Sequence, residues 1–91
     1  MQAYLVEHYR PGLRVEELKR WAALVRRTVG ELEHEGRSVH FVRSTIVPRD
    51  ESLLCILEAA SEELVREAYA RAGIPFERIS TAIEFQKGGR R

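Results

Sequence analysis

Five side chains that could bind a metal, transfer a proton or form an ion pair lie in or beside apolar segments of this chain: His8, His40, Arg43, Cys55 and Glu58. Imidazole and thiolate groups are good ligands for divalent transition metals. The histidines and the single cysteine show no His-x-His, His-x3-His or Cys-x2-Cys spacing, so the spacing alone is a weak indication of a metal site. The residue types therefore suggest binding chemistry without a recognisable motif.

Arg43 lies within an apolar segment, where a guanidinium needs a carboxylate or an anionic ligand beside it. Glu7 and Glu58 are the acidic residues that could reach it. A salt bridge between two subunits and a clamp for an anionic substrate both fit this pattern. We retain both interpretations.

Each remaining candidate has a structural and a functional interpretation. His8 ends a strand-like segment just before Pro11 and Gly12, where functional loops often attach, and His40 opens the second strand. A core or interface histidine is the alternative for both. Cys55 has leucines around it, which is typical of a small buried hydrophobe. His34, near the end of the first helix, is expected to be solvated.

The elements that must position these groups follow from periodicity. Alternating apolar residues predict strands, and apolar residues spaced by three and four predict helices. The predicted elements are a strand at 3–9, a helix from Val15 that stops near Gly36, strands at 38–47 and 52–58 joined by a turn at 48–51, a helix at 61–72, and a strand at 78–85.

The order β-α-β-β-α-β predicts an α+β, ferredoxin-like plait, a four-stranded antiparallel sheet with two helices on one face. We expect one domain over residues 1–86 and a disordered tail at 87–91. The strand at 52–58 is apolar on both sides, and helices can cover only one. We therefore expect a homodimer that packs sheet against sheet, with a ligand between the sheets near His8, Phe41, Arg43 and Glu58.

Composition excludes several partners. With 15 basic and 14 acidic residues, the chain has no general electrostatic attraction for nucleic acid or anionic membranes. No aromatic residue lies in the strand at 52–58, where RNA-binding plaits stack bases. No apolar run reaches the roughly 20 residues of a membrane helix, and one cysteine suits a reducing compartment, so we expect a cytoplasmic protein.

Several segments resemble one family: VEHYRPG, VHFVRSTIVP, LLCILEA and AGIPFERI, and the similarity covers about residues 3–85. They are similar to small ferredoxin-like proteins of a domain-of-unknown-function family, some of which bind nickel. The resemblance implies a homodimeric α/β barrel and nickel as a ligand, with His8, His40 and Cys55 as metal ligands. Ile74 and Arg43 stand where the resemblance implies histidines.

Two classes of function follow. The first is a homodimeric binding module for a small molecule or metal held between the sheets. The second is a cofactor-free enzyme of the dimeric α/β-barrel type, an oxygenase or isomerase, with His8 as general base and Arg43 holding a developing anion. A purely structural domain, with no cavity at its interface, is a third possibility.

Overall fold

The computed structural model describes residues 1–85, which form four strands and two helices in the predicted order. The elements are β1 (Gln2–Tyr9), α1 (Val15–His34), β2 (Val39–Val47), β3 (Ser52–Ala59), α2 (Glu62–Ala72) and β4 (Arg78–Ala82), with a short 3-10 turn at Pro48–Asp50. The predicted disordered tail at 87–91 lies outside the described residues. No helix in residues 1–85 is long and apolar enough to cross a membrane.

The sheet is antiparallel, in the order β2-β3-β1-β4, with both helices on one side. The predicted ferredoxin-like fold is confirmed. Directly opposed residues of an antiparallel pair share a face, so the register fixes which side chains point away from the helices. This set, called the open face below, is Ala3, Leu5, Glu7, Tyr9, His40, Arg43, Thr45, Val47, Ser52, Leu54, Ile56, Glu58, Arg78, Ser80 and Ala82.

Local sequence signals explain the bounds of the helices. The Glu17 carboxylate accepts a hydrogen bond from the backbone N–H of Arg14 at 3.0 Å, which satisfies a donor at the start of α1. The Ser61 hydroxyl caps α2 by accepting from the backbone N–H of Leu64 at 3.3 Å. Gly73 ends α2 in the left-handed conformation with φ of 72°, and Pro75 follows two residues later.

A β-bulge at Val42 divides β2. Phe41 pairs with Leu57 and Arg43 pairs with Ile56, so two steps along β2 match one step along β3. Residues two apart on a regular strand share a face, but the extra residue turns Phe41 to the helix side and Arg43 to the open face. The prediction that Phe41 and Arg43 share a face is therefore wrong.

The bulge also changes the apolar pattern of β2. Ile46 pairs with the buried Leu53 and therefore lies on the helix side, as Phe41 does. Val47 pairs with Ser52 as predicted, which puts Glu58 on the open face. The apolar part of the open face therefore comes mainly from the two central strands.

β4 ends at Ala82, three residues before its predicted end. Its partner strand explains this, because Ala82 pairs with Ala3 and β1 begins at Gln2, so almost no ladder remains. The next residues, 83–85, are called the strap. Glu84 in the strap contacts Arg43 on β2, the opposite edge of the sheet. Since Arg43 lies on the open face, the strap turns toward that face and the Glu84 and Arg43 side chains meet there.

Candidate functional site

The open face has an apolar centre and an ionisable border. Leu5 and Leu54 are half-buried, and Ile56 is only 6% exposed although no helix covers it. Arg43, which is directly opposite Ile56, and its partner Glu84 lie on the same face. The border carries three acidic and three basic side chains: Glu7, Glu58, Glu84, His40, Arg43 and Arg78.

Arg43 forms an ion pair with Glu84, which neither sequence interpretation named as its partner. Of the two expected acids, Glu7 instead pairs with Arg78 at 2.9 Å, Nε to Oε2. Glu58 shares the open face with Arg43, without a salt bridge between them in the described part of the chain. The Arg43 side chain remains more than half exposed, so a further anion could reach it.

His40 and Glu58 are directly opposed on β2 and β3. Cross-strand pairing brings the Cβ atoms of these two residues close together at one end of the open face. The His40 ring contacts the Glu33 carboxylate in the last turn of α1, which it reaches because β2 is an edge strand. Both side chains of this contact are well exposed, so it adds little stability.

His8 lies on the helix side, where it is 1% exposed. Its Nδ1–H donates to the Leu53 carbonyl oxygen at 2.9 Å, which leaves Nε2 as the unprotonated nitrogen. Nε2 has no hydrogen-bond partner among residues 1–85, and the ring packs 5.2 Å from Tyr69 and 6.3 Å from Trp21, centroid to centroid. Burial lowers the pKa of His8, because the charged form would lose its hydration.

Cys55 is also on the helix side, fully buried in the core. Burial raises the pKa of its thiol to about 11, and the neighbouring Tyr69 hydroxyl offsets this only in part. Burial likewise raises the pKa of Tyr69. The thiolate, which is the form that binds metals and attacks electrophiles, is therefore strongly disfavoured. Cys55 is a small hydrophobe of the core, as its sequence context suggested.

The predicted site residues are thus divided between the two sides of the sheet. His40, Arg43 and Glu58 lie on the open face, whereas Phe41, His8 and Cys55 face the helices. The enzyme hypothesis needed the His8 base and the Arg43 anion holder on one substrate. Because these two residues lie on opposite sides, a substrate on the open face is separated from His8 by the sheet.

Sequence reasoning missed Glu84 and Glu33 as partners. Glu84 was interpreted as one residue of a regular final strand, and the signal that could have corrected this is the short length of β1, which leaves residues 83–85 unpaired. Glu33 is seven residues before His40, across the turn at Gly36. A pattern of faces within single elements does not reveal contacts between a helix end and an edge strand.

Residues 4–81 match a family described as "Nickel responsive protein SCO4226-like". The chain belongs to this family. It is the nickel-related family that the sequence motifs resemble. A similar solved structure is that of SCO4226 from Streptomyces coelicolor A3(2), with a TM-score of 0.69, 19% sequence identity, and coverage of 92% of this chain and 99% of that chain. No curated protein matches the sequence.

At 19% identity the likeness to SCO4226 shows the fold alone, so the fit of a metal must be judged on this chain's residues. Within residues 1–85, no three His, Cys, Asp or Glu side chains lie together at metal-binding distances. His8 and Cys55 are separated from His40 by the sheet, and the thiol is held protonated. One chain by itself therefore does not fit a nickel ion.

Proposed function

We propose that this SCO4226-like protein is a homodimeric, nickel-related binding module whose ligand lies between the open faces of two copies. The observation that carries the proposal is the distribution of exposed large hydrophobic side chains. In the described part of the chain they all belong to strands or to residues flanking strands, and none to a helix. They are Met1, Tyr9, Val42, Ile83 and Phe85.

The apolar centre of the open face supports the dimer. Leu5 and Leu54 are half-buried within one copy, and Tyr9, at the end of β1, is 53% exposed. An apolar surface of this kind with a polar border is typical of protein–protein contacts. A second copy would remove these side chains from water, at about 25 cal/mol per Å² of apolar surface buried.

The polar groups of the ligand site would be His40, Arg43 and Glu58. An imidazole nitrogen and carboxylate oxygens are suitable donors for nickel, and one chain presents them as the cross-strand pair His40 and Glu58. One chain offers too few ligand atoms to hold a nickel ion. Two copies related by a two-fold axis would offer the pair twice and so double the number of ligands. Arg43 suits an anion that accompanies the metal or a small anionic ligand.

The test is a calorimetric titration of the metal-free, full-length protein with Ni²⁺, with light scattering on the same sample. We expect a dimer that binds Ni²⁺, and at least tenfold weaker binding in His40→Ala and in Glu58→Gln, since each removes a donor. His34→Ala is the matched control, because His34 is an exposed histidine at the end of α1, away from the open face.

The outcomes are distinct. A dimer that gives no heat with Ni²⁺ would remove nickel from the proposal, and binding that survives both open-face substitutions would contradict the site. Equal loss in His34→Ala would point to adventitious binding at surface histidines.

A further inference from the structure

The strap, residues 83–85, alternates in exposure although it is not part of a strand. The Glu84 side chain is 22% exposed and contacts Arg43, whereas Ile83 is 82% and Phe85 is 93% exposed. Glu84 therefore points toward the protein's own sheet, and its two apolar neighbours point into solvent. The contact of Glu84 with Arg43 fixes the strap to the sheet, and the apolar side chains of Ile83 and Phe85, on either side of Glu84, remain in water.

We infer that the strap is a dimerisation arm: Ile83 and Phe85 pack on the open face of a second copy, and the Glu84–Arg43 ion pair holds the arm in position. This inference rests on the proposed homodimer and adds the segment that completes its interface. The family match ends at residue 81, so the arm is a feature of this chain outside the matched region.

Charge favours a second copy as the occupant. The border of the open face, with the strap, carries three acidic side chains, Glu7, Glu58 and Glu84, two arginines, Arg43 and Arg78, and the imidazole of His40. A strongly acidic or strongly basic partner would meet repulsion from the groups of its own sign. A surface that carries both signs can pair with itself across a two-fold axis.

Apolar complementarity points the same way. The strap offers protruding side chains, and the open face beside it offers the half-buried Leu5 and Leu54. Each copy therefore has both the projecting groups and the surface that receives them, which is the requirement for an isologous contact. Ile83 and Phe85 are large enough to act as anchors in such a contact.

The test is the dimer dissociation constant of the full chain, measured by sedimentation equilibrium. We expect the double variant Ile83→Ser/Phe85→Ser to raise this constant by about a hundredfold, since burial of each side chain is worth about a factor of ten or more. Both side chains are exposed within one copy, so the variant keeps its core and its circular dichroism spectrum. Ala23→Ser, at an exposed position of α1, is the control and should leave the constant unchanged.

Glu84→Gln tests the anchoring role separately. It removes the negative charge from the Glu84–Arg43 ion pair and keeps Ile83 and Phe85. We therefore expect a smaller rise, of a few-fold, in the dissociation constant. A wild-type protein that stays monomeric would overturn the homodimer and the arm together. A wild-type dimer whose constant is unaltered in the double variant would overturn the arm and leave the homodimer standing.

Discussion

At the scale of single residues, His8 shows how burial determines chemistry. Its ring lies between the sheet and the helices, with one nitrogen donating to the Leu53 carbonyl and the other without a partner among the described residues. Tyr69 and Trp21 pack on the ring, and Glu77 is a charge near enough to favour protonation slightly. Desolvation outweighs these effects and lowers the pKa of His8.

This burial predicts a pH-dependent stability. The unfolded chain takes up a proton at His8 as the pH falls through about 6.5, whereas the folded protein takes it up only at lower pH. The free energy of unfolding should therefore fall below about pH 6.5, by up to about 1.4 kcal/mol per pH unit for one proton. Guanidinium denaturation between pH 8 and pH 5 measures this change.

His8→Asn is the informative variant, because an amide can still donate to the Leu53 carbonyl but does not titrate. We expect its free energy of unfolding to change less between pH 7 and pH 5 than that of the wild type. His34→Asn, at an exposed histidine, should follow the wild type. An identical pH dependence in wild type and His8→Asn would mean that His8 is not the group responsible.

At the scale of the elements, periodicity predicted six elements and their order because each has one buried face or stripe. It did not predict the bulge at Val42, since an extra residue in an apolar strand leaves no compositional mark. The bulge decides the candidate site, because it separates Phe41 from Arg43. Nor did alternation reveal the end of β4, which depends on where its partner strand begins.

Two glycines give a matched test of backbone conformation. Gly30 lies within α1, Gly73 has φ of 72° at the end of α2, and a Cβ built at either meets nothing within 4 Å. Gly30→Ala should raise the free energy of unfolding by about 0.5–1 kcal/mol, because alanine loses less backbone entropy in a helix. Gly73→Ala should lower it by about 1–2 kcal/mol, since a left-handed conformation strains any residue with a Cβ. Chemical denaturation of both variants checks the opposite signs, and equal signs would contradict the backbone argument.

At the scale of the whole molecule, the two sides of the sheet have different roles. The helix side is closed by the core and holds His8 and Cys55 away from solvent. The open face holds His40, Arg43 and Glu58 around an apolar centre, with Glu84 of the strap paired to Arg43. The sequence predicts an uncovered apolar face, because β3 is apolar on both sides. Which polar residues lie on that face could be determined only from the strand register in the structure.

The central claim is that a second copy covers the open face, and the most direct measurement is the solution mass of the wild type and of Leu54→Lys by light scattering. Leu54 lies at the centre of this face opposite Glu7, so a lysine there is tolerated in one copy but places a charge in the dimer contact. We predict twice the 10.5 kDa chain mass for the wild type and 10.5 kDa for Leu54→Lys, while Ala23→Lys, at an exposed position of α1, stays dimeric. A monomeric wild type, or a Leu54→Lys protein that remains a dimer, would contradict the claim.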